Sequence, residues 1–178
     1  AVFLTHLHGD HVGWNLTKDT DRWKPTFPKA QYLVHRSDWE AFTNPKFLDP
    51  IRREAAERNY LPLQELGVLQ LIEDNYEVAV GLTAIHSPGH TPGHMSMLIE
   101  SGSDRALIVG DVIGSPMQVS EPDRPYAPDT NPSEARKTRH KLLDLAEDGK
   151  TTLIGGHMPH PHWGRLIRWE ERRYWQAW

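Results

Sequence analysis

Residues 5–11 read Thr-His-Leu-His-Gly-Asp-His, three histidines and one aspartate in seven residues. Polar rings and a carboxylate packed this densely cannot all disappear into a core without partners, so whatever fold forms must serve them. In an extended backbone, residues two apart point to the same side. His6 and His8 therefore face one metal ion, with Leu7 turned into the core. Gly9 permits a sharp change of direction. Asp10 and His11 then leave from a different stretch of backbone and reach a second ion. Spacing alone thus predicts two metal sites.

Four side chains do not complete two ions, and three further candidates stand where apolar runs end. The segment 86–94, His-Ser-Pro-Gly-His-Thr-Pro-Gly-His, puts His90 in a Pro-Gly turn. Leu-Ile-Val-Gly-Asp ends on Asp111, and Thr-Leu-Ile-Gly-Gly-His ends on His157. Each is an apolar run, a glycine turn and one ligand-type residue, the pattern of a sheet that delivers ligands from its edge. The chain has no cysteine, which removes disulfides and thiolate ligands and leaves the redox compartment open. A net charge of −4 gives no nucleic-acid footprint. No apolar run approaches the length of a membrane span.

Around these turns the pattern predicts strands over 1–5, 31–35, 68–72, 76–80, 82–86, 95–100, 105–110 and 151–156, with two closing strands over 165–169 and 172–178. A helix is expected from Ser37 as its cap. Another runs from Pro50 to Leu66 and breaks into two at Pro62, with Gly67 ending it. Residues 120–132 read as a loop. The clearest helix spans 133–148, capped by Ser133, with Ala135, Leu142, Leu143, Leu145 and Ala146 on its apolar face and Gly149 as its stop. There is no repeat or linker, so one domain over 1–178 is expected, with sheets packed inside helices. Ala1 is not an initiator methionine, and Ala-Val-Phe-Leu reads as a strand already under way.

His6-x-His8-x-Asp10-His11 is an H-x-H-x-D-H motif. With Ser-Pro-Gly-His, Val-Gly-Asp and Gly-Gly-His following in that order from residue 6 to residue 157, the chain resembles the metallo-β-lactamase superfamily. The resemblance implies an α+β fold, the four-layer αββα sandwich, with strands that normally precede the motif lying outside this sequence. Those strands would come from a complementing N-terminal segment, or their absence would be compensated in a homodimer. It also implies a binuclear centre: His6, His8 and His90 on one ion, Asp10, His11 and His157 on the other, and Asp111 bridging. The cofactors would be two divalent ions, zinc first, with manganese, cobalt and iron(II) also suited to imidazole and carboxylate. Two cations acidify a shared water enough to give hydroxide near neutral pH. Asp111 and Asp10 are the expected catalytic carboxylates, Asp10 holding the hydroxide and later protonating the leaving group.

Other residues are assigned around that centre. His94 is read as structural and His86 as a support behind the turn. His35 and His140 are incidental. Trp14, Met117 and His160 are the candidate substrate contacts. His162, Trp39, Trp163, Trp169, Trp175 and Trp178 are read as loop or packing residues. The segment 47–66, with Phe47, Leu48, Ile51 and Tyr60, reads equally as a cover for the active site or an ordinary amphipathic helix.

Within the superfamily, the thiolate-using β-lactamases need a cysteine and the others lack an equivalent of Asp111. The oxygen-reducing branch has a carboxylate where His8 stands. RNA-processing members carry basic surfaces. Residues 110–144 and 155–166 look most like the methyl parathion hydrolase and lactonase-related branch. The expected substrate is a small ester-like molecule, a lactone, carboxylic ester or organophosphate triester. A glyoxalase II-like thioesterase and a catalytically idle metal-binding module are the alternatives. The best-known acyl-homoserine lactonases carry a tyrosine shortly after the bridging aspartate, and 112–117 has none, which argues against that substrate.

Overall fold

The opening apolar run becomes a short strand, β1 (Val2–Phe3), that stops just before the histidine cluster. A hairpin follows, β2 (Leu16–Asp19) and β3 (Arg22–Pro25), and then β4 (Tyr32–His35). Three helices, α1 (Arg36–Thr43), α2 (Pro50–Asn59) and α3 (Pro62–Glu65), lead to β5 (Leu69–Ile72). These elements belong to the first of two compact units, residues 1–73 and 74–178, in a computed structural model that describes all 178 residues.

In the first unit, β1, β4 and β5 pair in parallel in that order. All four residues of β4 are buried, as expected where a parallel strand is covered on both faces. Parallel neighbours need a long crossover, and the three helices supply it between β4 and β5. Tyr32, Val34, Trp39, Phe42, Tyr60 and Leu63 form the core with Leu4, Leu7 and Val12 from the segment around the motif. The break at Pro62 falls as expected. The α1 cap does not: His35 caps the helix, its Nδ1 accepting from the Ser37 N–H at 3.2 Å.

The second unit holds a seven-stranded sheet. Its strands are β6 (Tyr76–Ala79), β7 (Leu82–His86), β8 (Met95–Ser101), β9 (Asp104–Ile108), β10 (Thr151–Ile154), β11 (Trp163–Trp169) and β12 (Arg172–Ala177). They lie in chain order from one edge to the other. Every pairing is antiparallel except β9 with β10. That parallel pair requires a crossover, which α4 (Met117–Ser120) and α5 (Pro132–Ala146) provide. Pro132 occupies the first turn of α5, so the cap is Asn131 rather than Ser133, its Oδ1 accepting from the Glu134 N–H. Leu142, Leu143 and Ala146 of α5 pack with Leu107, Val109, Ile113 and Leu153 in the core. Each fully buried leucine contributes roughly 1.5–3 kcal/mol. No helix is long and apolar enough to cross a membrane.

The strand register sets the ligand geometry of this unit. Ile108 of β9 stands opposite Ile154 of β10, and Asp111 and His157 each follow three residues later. β8 runs antiparallel to β9, and His86 at the end of β7 pairs with Met95 at the start of β8. The β7–β8 turn carrying His90 therefore emerges at the same end of the sheet as Asp111 and His157.

Candidate functional site

In the first unit the motif leaves β1 in extended form. The main chain is anchored by Asp38, a fully buried carboxylate of α1 that accepts from the Leu7 N–H at 3.1 Å. Leu7 is turned inward and buried. His6 and His8 consequently share a side, His6 Nε2 lying 3.1 Å from His8 Nδ1. Thr5 Oγ1 is 3.1 Å from His6 Nδ1, and Phe42 meets the His8 ring edge-on at 5.5 Å. The chain then turns, with the His11 N–H donating to the His8 carbonyl. The His11 ring comes 4.2 Å from that of His6, and its Nε2 lies 3.3 Å from Asp10 Oδ2. Asp10 is exposed. A Cβ at Gly9 would meet nothing within 4 Å, and its φ is not left-handed, so the turn does not depend on a glycine there.

A cavity of about 210 Å³ opens beside this cluster within the same unit. His8, Gly9, Phe42, Phe47, Arg52 and Tyr60 are among its walls. The Arg52 guanidinium lies over the Phe47 ring at 4.7 Å. Burial, then the charge of Asp38, pushes the Tyr60 phenol up to about 12, so it stays neutral. Leu48 and Tyr60 are core residues, whereas Ile51 faces solvent.

In the second unit His90, Asp111 and His157 converge. Asp111 Oδ2 lies 3.3 Å from His90 Nε2 and 3.2 Å from His157 Nε2. His90 and Asp111 are buried and His157 is exposed. Two ligands about 2.0–2.1 Å from one tetrahedral zinc ion stand about 3.3 Å apart. The two nitrogen–oxygen separations just given, and the 3.1 Å between His6 Nε2 and His8 Nδ1, match such an edge, so the donors present fit a divalent ion. His94 is buried and structural, as expected. Its Nε2 accepts from the Asp111 N–H at 3.0 Å, which leaves Nδ1–H to donate to Ser87 Oγ at 2.9 Å. It thereby holds the backbone that presents Asp111.

A metallo-β-lactamase superfamily model matches residues 1–157. The chain belongs to this superfamily. Its mixed, sheet-dominated α+β architecture is the metallo-β-lactamase fold, and solved structures of that fold align over almost all of it. One, described as the hydrolase AbOPH in the β-lactamase superfamily, superposes with a TM-score of 0.81 at 26% identity, covering 97% of this chain and 62% of that one. Another, AidC, described as a dizinc quorum-quenching lactonase with a product bound, has a TM-score of 0.76 at 25% identity and covers 98% and 62%. An N-acyl homoserine lactonase of Bacillus thuringiensis is 26% identical over 156 residues, 88% of this chain and 54% of that protein. The chain thus spans about half the length of that curated relative.

None of the weaker candidates is among the residues grouped to hold a metal ion. Trp14 is exposed with a left-handed φ of 65° and rests edge-on against Phe27. Met117 opens α4 half-exposed. His160 is exposed and meets the His162 ring at 6.0 Å. His86 Nε2 is 3.2 Å from the Pro92 carbonyl, bracing the His90 turn.

Three residues escaped the sequence. Asp129 Oδ1 accepts from His90 Nδ1 at 3.0 Å, Arg139 is wholly buried behind it, and Tyr126 stacks on the His90 ring at 5.6 Å and 21°. A Cβ on Gly114 would come within 2.7 Å of the Tyr126 ring. Tyr126, from further along the chain, thus lies over Gly114, within the stretch 112–117 that has no tyrosine of its own. A Tyr and an Asp in a Pro-rich stretch and an Arg on α5 carry no motif, and only the fold brings Tyr126 and Asp129 to His90 and Arg139 to Asp129.

Proposed function

We propose that the two ligand clusters act as one centre within one domain, hold a pair of divalent metal ions, and make the protein a hydrolase of carboxylic esters, lactones first. His6, His8 and His90 would hold one ion, Asp10, His11 and His157 the other, with Asp111 shared. The observation that carries this reading is the single Asp111 oxygen 3.3 Å from His90 Nε2 and 3.2 Å from His157 Nε2. Zinc is favoured by the imidazole and carboxylate donors and by the dizinc description of AidC. When bound, such a pair polarises the ester oxygen and acidifies a water so that it attacks near neutral pH.

The remaining work falls to this chain's own groups. His94 and Asp38 keep the two ligand-bearing backbones in place. Asp10, the most open of the carboxylates, accepts the proton of the attacking water and returns it to the leaving alkoxide. The cavity walled by Phe42, Phe47 and Tyr60 accommodates an apolar acyl portion, with Arg52 at its side. Lactone hydrolysis is favoured over phosphotriester hydrolysis because the Bacillus relative and AidC are both described as lactonases. Tyr126 over Gly114 supplies an aromatic where 112–117 has none, so acyl-homoserine lactones belong among the substrates to be tried.

The test is a panel on zinc-loaded protein: aliphatic lactones, acyl-homoserine lactones, an aryl ester, an aryl phosphotriester, S-lactoylglutathione and a cephalosporin. Lactone turnover is expected, falling about a thousandfold or more in Asp111→Asn, which corresponds to about 4 kcal/mol of barrier. Turnover of the thioester alone, or metal uptake with no turnover of any substrate, would overturn the proposal.

A further inference from the structure

Arg139 heads the fully buried side chains by size. Burying a guanidinium is costly, and an apolar residue of similar volume commonly gives equal or better stability. Its partners suggest another reason for its place. Nε donates to the Val112 carbonyl at 2.8 Å, next to Asp111. Nη1 donates to the carbonyls of Pro122 at 2.8 Å and Arg124 at 3.2 Å. Nη2 lies 3.4 Å from Asp129 Oδ2. One side chain of α5 therefore ties the Asp111 segment to the loop that backs His90.

That loop grips His90 by both main chain and side chain. The Thr130 N–H donates to the His90 carbonyl at 3.1 Å, and the Asn131 N–H donates to the Gly89 carbonyl at 2.9 Å. Asp129 Oδ1 accepts a hydrogen bond from His90 Nδ1–H, with both side chains almost completely buried. Tyr126 stacked on the ring opposes its tilting. A carboxylate on Nδ1 selects the tautomer in which Nε2 is a bare lone pair. That lone pair faces Asp111 Oδ2, itself only an acceptor when ionised.

We infer that Asp129 is the positioning residue of His90, holding its Nε2 bare and aimed for a divalent ion, and that Arg139 anchors Asp129 and the Asp111 segment together. The inference rests on the metal centre proposed above. Asp129 touches neither substrate nor reacting atoms, and its effect passes through the ring.

The measurement is Zn²⁺ competition against a chromophoric chelator, with the Co²⁺ d–d spectrum and separate kcat and KM on the best substrate. It is run on the full chain as wild type, Asp129→Asn, Asp129→Ala and Arg139→Lys. Asp129→Ala should weaken one ion about 10–100-fold, leave the other within about twofold, shift the cobalt bands and lower kcat more than KM. Asp129→Asn, whose amide oxygen still accepts from Nδ1, should fall between it and wild type. Arg139→Lys should weaken the same ion. Wild-type affinity and cobalt spectrum in Asp129→Ala would overturn the inference. If circular dichroism shows Asp129→Ala unfolded, the same wild-type result in Asp129→Asn overturns it. Failure of the underlying reading appears separately, as a wild-type protein that takes up no ion.

Discussion

In the first unit four ligand-type side chains come from residues 6–11, one turn of backbone held by a buried carboxylate on α1. In the second, three come from separate turns at the end of a sheet, spread from residue 90 to residue 157 and backed by buried side chains. The first arrangement depends on local backbone, and open space remains around it. The second depends on strand register and on packing behind each turn. The same donor chemistry can thus rest on two kinds of rigidity, and they should fail differently when perturbed.

The glycines test this most severely. Gly89 has φ +127°, and a Cβ there would stand 2.1 Å from the Ala135 backbone nitrogen, whereas a Cβ on Gly9 meets nothing within 4 Å. Gly89→Ala should cost about 3 kcal/mol or more through backbone strain and collision with α5. Gly9→Ala should stay within about 0.5 kcal/mol. Chemical denaturation of both measures the gap, and equal losses would dissolve the contrast. Next comes the anchor of the first cluster. Asp38→Ala leaves the buried Leu7 N–H without its acceptor, an expected loss of about 1–3 kcal/mol by the same measurement.

The smallest effect lies at the far end of α5. The hydrogen bond from Arg173, helped by Arg168, holds the Glu147 carboxyl below its ordinary value. A depressed carboxylate contributes stability above its unfolded value, lost as pH falls through the folded one. Glu147→Gln should therefore cost at most about 1 kcal/mol at pH 7 for so exposed a network. The difference from wild type should close below about pH 4.5. Thermal melts across pH 3–7 check it.

Contiguity explains what the sequence made legible. His6, His8, Asp10 and His11 declare themselves because local geometry alone relates them. His90, Asp111 and His157 were readable because each ends an apolar run at a glycine turn, and strand register carries that pattern into space. The helix caps were misplaced because serine is a strong cap by type, while the actual starts were set by His35 before Ser37 and by Pro132. The β2–β3 hairpin turns through Thr20 with φ 54° and lacks the glycine that usually marks such a turn. Asp129 is invisible in the sequence because its meaning depends on a pairing across 39 residues of chain with His90, and Arg139 because its meaning depends on Asp129 and on the Val112 carbonyl.

The parallel pairing of β9 with β10 also bears on how such a protein can change. Asp111 and His157 keep their separation because Ile108 stands opposite Ile154, whatever length of chain joins the two strands. Length changes in the crossover that keep α5 and the contacts of residues 122–131 leave that register unchanged. Loop length there can thus vary without altering how far apart the two strand ends are held.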